Sequence, residues 1–217
     1  TVLRIGASAT IDSLNPFVSS SDYSSVVYEY VYPHLTEYDT KDLSLVPSFA
    51  TSWKTSEDGK TWTFDTVTGA KWSDGKPLTA EDTAFTMSMI LKYKDGPTGQ
   101  LAGFVSHMAS AVATDAHTLT VTYDQPVANV LAQLQQLPIL PEHVWKPLAT
   151  GEGKEISSFQ NGTPMVSGGP FQLTQYKKDQ LALFQTNPNW WGKTKPTITG
   201  FGLQFFANDD AMVTALK

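Results

Sequence analysis

The sequence predicts an α/β (mixed α+β) fold, on three observations. Short alternating apolar segments are joined by Asp-Gly turns, which is typical of antiparallel hairpins. Other segments repeat apolar side chains at helical spacing and begin at residues that cap helices. With 41% hydrophobic residues in a chain of 217, a core can be buried. Strands and helices mixed in this way argue against a helical bundle or a β-sandwich.

The first elements are a strand, a helix and a second short strand. Residues 2–7 alternate as a strand, and residues 19–23 form a polar loop. Apolar side chains at 26, 27, 30 and 31 then predict a helix that ends before Pro33. Residues 34–38 resemble a short strand.

A hairpin and a capped helix are expected next. Strands at 52–55 and 61–64 flank the Asp58-Gly59 turn, where Gly accepts a positive φ. A second turn at Asp74-Gly75 precedes a helix that Thr79 can cap. The three Trp residues beside these turns are expected to share one core: Trp53, Trp62 and Trp72.

The second half of the chain alternates in the same way. A strand is predicted at 119–123, helices at 127–136 and 141–148, a polar surface loop at 151–162, a hairpin of 171–176 with 181–185, a strand at 198–206 and a helix from 209.

Composition excludes several classes of function. The chain has 15 Lys and Arg against 21 Asp and Glu, so its net charge of −6 would repel the phosphates of a nucleic acid. It has no Cys, which excludes disulfide scaffolds, thiol nucleophiles and Cys-ligated zinc. No apolar run approaches the roughly 20 residues of a membrane-spanning helix. We expect neither a nucleic-acid partner nor a membrane-spanning segment.

No pattern predicts catalysis, and we expect no catalytic residue, no metal and no cofactor. The four His residues are scattered without zinc-binding spacing. Ser73 and Lys76 match a Ser-x-x-Lys pattern, but the Asp-Gly between them indicates a hairpin turn. Adjacent carboxylates such as Glu81 and Asp82 point in different directions and make poor acid–base pairs.

Two motifs leave alternatives open. Ser167-Gly168-Gly169 offers a backbone nest for an anion, a tight entry into the next strand, or both together. The Trp190-Trp191 pair offers either a sugar-stacking platform or a lock against the core, of which the lock is favoured. These residues indicate binding without naming a ligand.

The order of the motifs resembles the extracellular solute-binding proteins of family 5, the peptide, oligopeptide and nickel group of ABC importers. The similar segments are 14–17 (Leu-Asn-Pro-Phe), 27–39, 45–64, 71–82, 140–144, 167–171 and 187–192. Two details depart from the family pattern: the stretch 64–69, and Ser167 where Thr is more usual. The family also continues through a second lobe, so the sequence resembles an N-terminal fragment.

The resemblance implies one lobe of a type II periplasmic-binding-protein-like fold, with an inserted accessory domain and the second lobe missing. Residues 1–42 and 165–217 would form the first-lobe sheet domain, and residues 43–164 the accessory α+β domain. The two sets of ligand contacts would meet at one edge of the lobe sheet. The residues implied as ligand-binding are Ser19, Ser20, Ser21, Asp22, Tyr23, Ser167, Gly168 and Gly169.

The implied function is capture of an extracellular peptide-like ligand for an ABC importer. Its partners would be the solute and the permease and ATPase subunits, and its location extracytoplasmic, periplasmic or as a cell-surface lipoprotein. A lipid anchor outside this sequence would be the only membrane contact. The alternatives are carbohydrate or nickel-chelate binding by the same fold, and less favoured, a hydrolase or a sensing module.

Overall fold

Three β-sheets and six α-helices make up residues 2–215, the part of the chain that the computed structural model describes. The strands are β1 (Val2–Ala7), β2 (Thr36–Tyr38), β3 (Leu45–Pro47), β4 (Ala50–Thr55), β5 (Thr61–Thr66), β6 (Met108–Asp115), β7 (Thr118–Tyr123), β8 (Phe171–Lys177), β9 (Leu181–Thr186) and β10 (Gly200–Phe205). The α-helices are α1 (Asp22–Val31), α2 (Ala80–Tyr93), α3 (Val130–Gln135), α4 (Glu142–Trp145), α5 (Lys154–Ser158) and α6 (Asp209–Ala215), and 3-10 turns cover Gly99–Val105 and Lys146–Leu148.

The first sheet joins the two ends of the chain. Its order is β1-β10-β9-β8, with β1 parallel to β10 and the other pairs antiparallel. Phe184 of β9 stacks on Phe201 of β10, with ring centroids 4.3 Å apart. Three predicted elements are confirmed here: the strand at 2–7, the hairpin of 171–176 with 181–185, and the strand at 198–206.

The second large sheet is the antiparallel array β4-β5-β7-β6, against which α2 packs. The predicted hairpin is present: Trp53 pairs with Phe64 across β4 and β5, and Gly59 has a φ of 68° in the connecting turn. Trp62 stacks beside Phe64, with centroids 6.2 Å apart. The small antiparallel pair joins β2, before the domain boundary predicted at 42/43, to β3, after it. The division into two domains stays a prediction.

The N-terminus of α2 confirms the predicted cap. The Thr79 hydroxyl accepts from the backbone N–H of Glu81, and Asp82 Oδ2 accepts from the N–H of Thr79 at 2.9 Å. Asp82 Oδ1 accepts from the N–H of Glu142, which ties α4 to the same cap. The longest helix of residues 2–215 is α2, with 14 residues, and none there is both long and apolar enough to cross a membrane.

Three elements differ from expectation. The Ala-rich strand β6 was not predicted, because small residues carry little strand preference and pairing with β7 decides its conformation. Helix α5 replaces part of the loop predicted at 151–162, and its Ile156 is fully buried. Helix α1 begins at Asp22, so Asp22 and Tyr23 are helical instead of lying in the loop 19–23.

As expected, Trp53, Trp62 and Trp72 contribute to one hydrophobic core, but they occupy different places in it. Trp72 is fully buried, but it packs where Gly168 and Leu78 meet. Trp53 and Trp62 instead lie half-buried on either side of Phe64. Trp72 therefore joins the segment before β8 to the turn before α2.

The last turn of α1 is fastened to the segment before β8. The Val31 carbonyl accepts hydrogen bonds from the N–H groups of Gly168 at 3.0 Å and Gly169 at 2.9 Å. The Ser167 hydroxyl lies 2.8 Å from the same oxygen. A Cβ on Gly169 would lie 3.0 Å from the Val31 carbonyl carbon and closer still to the Tyr30 carbonyl oxygen. We call this contact the α1 latch.

Gly169→Ala is therefore expected to lower the free energy of unfolding by about 1–3 kcal/mol, because the new Cβ meets backbone that cannot turn aside. Gly103→Ala is the matched control, since a Cβ there has nothing within 4 Å. Urea unfolding followed by tryptophan fluorescence measures both. Equal unfolding free energies for the two variants would contradict a tight latch.

Candidate functional site

A single carboxylate fixes the serine-rich segment that precedes α1. The Ser19 and Ser24 hydroxyls donate to Asp12 Oδ1 at 2.6 and 2.8 Å, and the backbone N–H of Ser20 donates to Oδ2 at 2.8 Å. The Ser20 hydroxyl lies 3.1 Å from Oδ2. These four residues form the Asp12 cluster, which sets the position of Ser19 relative to α1.

The cluster holds Asp12 in its ionised form. Desolvation raises the pKa of Asp12, but the hydrogen bonds from Ser19, Ser20 and Ser24 outweigh it and hold the pKa well below its ordinary value. A carboxylate in this state accepts several hydrogen bonds at once.

Ser21 starts α1 as its N-cap. Its hydroxyl accepts from the N–H of Tyr23 at 3.2 Å and donates to the Thr10 carbonyl at 2.6 Å. Asp22 is exposed in the first turn, and the Tyr23 ring packs edge-on against Phe205 with centroids 6.1 Å apart. Tyr23 thus packs the start of the helix against the first sheet, and Ser21 ties it to the segment after β1.

A cavity of about 510 Å³ opens beside Ser19, and we call it the α1 cavity. One wall is α1, the opposite wall is the 3-10 turn Gly99–Val105, and the end of α3 closes a third side. Its main lining side chains are Tyr28, Glu29, His34, Gln100, Phe104 and Gln136. Of the predicted site residues, only Ser19 lines this cavity among the described residues.

Polar contacts join the walls of the cavity. The Gln100 side-chain amide donates to the Ser19 carbonyl, which links the 3-10 turn to the Asp12 cluster. His34 Nδ1 lies 2.6 Å from the Gln135 carbonyl and must carry the proton, because a carbonyl can only accept. Burial lowers the pKa of His34, against the opposing field of Glu29, so the ring is neutral near pH 7.

The predicted ligand residues 167–169 lie at the other end of α1. Helix α1 has 10 residues, so its ends are about 15 Å apart. The expectation that 19–23 and 167–169 meet is therefore wrong. The amides of Gly168 and Gly169 donate to the Val31 carbonyl, and the carbonyls of Ser167 and Gly169 accept from the Asn187 side chain. The tight-entry interpretation is confirmed, and a ligand contact from 167–169 stays a prediction.

The Trp190-Trp191 pair acts as the favoured lock. Trp191 Nε1 donates to the Gly168 carbonyl at 2.9 Å, and its ring packs edge-on against Phe49 with centroids 5.5 Å apart. Both residues are half-buried, and it is Trp191 that packs against the core, whereas the Trp190 indole lies against Trp191 and donates to the Thr194 carbonyl.

The remaining motifs have structural partners. Ser73 lies in the predicted turn, where its hydroxyl accepts from the N–H of Ser167 at 2.9 Å. His107 and His143 each contact one Asp, at 3.2 and 2.8 Å. No three His, Asp or Glu side chains within residues 2–215 are grouped to hold a metal ion.

Sequence reasoning missed most of the cavity wall. Glu29 and His34 were assigned to a helix and a strand, and Gln100 and Phe104 to no element. No local pattern marks these positions, because the cavity assembles three separate segments, 16–38, 100–104 and 135–138. The one signal that the sequence offered for this site was His34, which follows Pro33 just beyond the predicted end of a helix.

Comparison with known sequences identifies the family. The profile of the bacterial extracellular solute-binding proteins, family 5 (middle region), matches residues 44–217. The chain belongs to this family. A putative ABC transporter peptide-binding protein of Brucella ovis is 28% identical over 214 residues, which cover 98% of this chain and 39% of that protein.

Solved structures confirm the periplasmic-binding-protein fold. The oligopeptide-binding protein AppA of Bacillus subtilis, in complex with a nonapeptide, matches with a TM-score of 0.85 at 23% identity, over 100% of this chain and 42% of that one. NikZ of Campylobacter jejuni, in complex with Ni(L-His), matches with a TM-score of 0.84 at 19% identity, over 99% and 41%. The family 5 chain thus spans well under half the length of these relatives.

Asp12→Asn is expected to lower the free energy of unfolding by about 1 kcal/mol at pH 7, because the hydroxyl and amide donors lose their charged acceptor. The folded pKa lies below the unfolded value, so this contribution is complete above about pH 5 and declines as the pH falls below about 4.

Urea unfolding at pH 7 and pH 3 tests this, with Asp95→Asn, an exposed acid after α2, as the control. The gap between wild type and Asp12→Asn should narrow at pH 3. A gap that is the same at both pH values would contradict the role of the ionised carboxylate.

Proposed function

We propose that this chain forms one wall of the ligand site of an ABC importer's solute-binding protein, and that the α1 cavity receives a peptide-like ligand. The observation that carries the proposal is the cavity itself: about 510 Å³, bounded by α1 and the Gly99–Val105 turn, with Ser19 fixed at its margin. Pockets of this size hold small organic ligands.

The chemistry of the walls suits a peptide. Tyr28 and Phe104 offer aromatic surface, while Gln100 and Gln136 offer amide groups that can both donate and accept. A peptide main chain presents donors and acceptors in alternation, so amide side chains can recognise it without selecting its side chains. The relatives named as peptide-binding proteins support this ligand class.

The proposed contacts centre on the residues before α1. Ser19, which lines the cavity, would contact the ligand, while Ser20, Ser21, Asp22 and Tyr23 would contribute from outside the cavity. Ser167, Gly168 and Gly169 would form a second ligand contact, farther from the α1 cavity. Only those of their polar groups that do not bond to the Val31 carbonyl would be free for it.

The proposed role fixes the partners and the location. The protein would bind its solute outside the cytoplasm and deliver it to the permease and ATPase subunits of the importer. The extracellular family name supports this location, and a lipid anchor belongs to the same proposal. The matched relatives are named as binding proteins, which supports capture and release without catalysis.

Phe104→Ala is expected to weaken binding of the tripeptide Ala-norleucine-Ala, whose side chains are uncharged, about tenfold, because the variant removes aromatic surface from the cavity wall. Phe85→Ala is the control: Phe85 is half-buried and lines a different groove with Glu81 and Ser88. Calorimetry gives the affinities, and thermal melting shows that both variants are folded.

The other outcomes separate the alternatives. Binding of Ni(L-His) or maltotriose without any tripeptide would replace the peptide ligand with a chelate or a sugar. Mass spectrometry of the recovered tripeptide distinguishes a binding protein from a hydrolase, since only a hydrolase returns fragments.

A further inference from the structure

One asparagine of the chain combines a reactive neighbour in sequence with a buried side chain. Of the six Asn residues, only Asn161 is followed by Gly. An Asn-Gly pair is prone to spontaneous deamidation, because glycine has no side chain to hinder attack of its backbone nitrogen on the preceding Asn. Asn15 and Asn187 instead precede Pro, which has no N–H for this reaction.

The fold restrains the side chain of Asn161. Its Nδ2 donates to the Leu14 carbonyl at 2.8 Å and to the Tyr32 hydroxyl at 2.7 Å, so both of its N–H groups are occupied. Asn161 is only 5% exposed, and Tyr32 is buried beside it. Deamidation requires the Asn161 side chain to turn toward the Gly162 nitrogen, and these two hydrogen bonds oppose that rotation.

The attacking residue, by contrast, is open to solvent. Gly162 is exposed and lines a surface cleft of about 340 Å³ together with Gln160 and Thr163. A Cβ added to Gly162 would have nothing within 4 Å. The buried Asn161 side chain is therefore the reactant that the fold controls.

We propose that Asn161-Gly162 is a deamidation site that the native fold keeps unreactive and that local opening of the chain exposes. In the reaction, the Gly162 nitrogen gives its proton to solvent base and forms a bond to Asn161 Cγ. The Cγ–Nδ2 bond breaks, and the nitrogen takes up a proton and leaves as ammonia. The succinimide that results is hydrolysed by one water molecule at either of its carbonyl carbons, which gives aspartate or isoaspartate.

The product does not fit the place that the amide occupied. A carboxylate at position 161 only accepts hydrogen bonds, so one of its oxygens would face the Leu14 carbonyl with no hydrogen between them. Burial of the new charge adds to this cost. Leu14 lies between Asp12 and Ser19 in the sequence, so the change also reaches the segment that carries the Asp12 cluster. A chain that deamidates while it is open therefore refolds to a less stable state.

Peptide mapping by mass spectrometry follows the conversion of the wild-type protein in mildly alkaline buffer, with and without denaturing urea. Asn161 is expected to convert about tenfold faster in urea or more, because only opened molecules react. Labelling by an isoaspartate methyltransferase identifies the product. Asn15 and Asn187 serve as controls within the same samples and should stay unconverted.

Gly162→Ala tests the attacking residue. The added methyl group should slow conversion in urea about tenfold, because it hinders approach of the backbone nitrogen. The same methyl group meets nothing in the folded protein, so the fold is kept. Equally fast conversion in Gly162→Ala, or no conversion of Asn161 in urea, would overturn the site. Equal wild-type rates with and without urea would overturn its control by the fold.

Asn161→Asp reproduces one product of the reaction, and it should unfold at a lower urea concentration than wild type. Asn208→Asp is the matched control, because Asn208 is exposed and its side-chain oxygen, which accepts from the N–H of Ala211, is retained in Asp. A failure to fold that is confined to Asn161→Asp would support the proposed damage. Unfolding of both variants at the wild-type urea concentration would overturn it.

Discussion

The carbonyl oxygen of Val31 accepts hydrogen bonds from two successive glycine amides and lies within reach of a serine hydroxyl 136 residues away in sequence. This contact joins the end of α1 to the segment that enters β8. It requires the backbone of Gly169 to press against the last turn of the helix, which leaves no space for a side chain. Since β8 belongs to the sheet that contains both β1 and β10, the latch fixes α1 relative to both ends of the chain.

The start of α1 is held by different chemistry. There a carboxylate collects hydroxyl and amide donors from the residues that lead into the helix. A helix fastened at both ends serves as a rigid wall, and the α1 cavity lies between this wall and the turn Gly99–Val105. A rigid wall is already ordered before the ligand binds, so the site loses less conformational entropy on binding.

Much of the fold was predictable because its signals are local. The Asp58-Gly59 turn, the Thr79 cap and the alternation in β8 and β9 each depend on neighbouring residues alone. β6 was not predictable, since its Ala-rich sequence becomes a strand only through pairing with β7. The extent of α1 was misjudged because Ser21, and not a residue beyond Tyr23, provides the cap.

The site was predicted less well than the fold. Ser19 was identified, but its partners in the cavity come from segments that meet only in three dimensions. Ser167, Gly168 and Gly169 look accessible in the sequence because glycines often mark open backbone. In the structure the same lack of side chains serves close packing against Tyr30 and Trp72.

A crystal structure of the protein grown with Ala-Lys-Ala tests most directly whether the α1 cavity is the ligand site. Electron density for the peptide is expected between α1 and the Gly99–Val105 turn, in contact with Ser19. Density for the peptide only beside residues 167–169, or only beside Trp190, would contradict the assignment of the cavity.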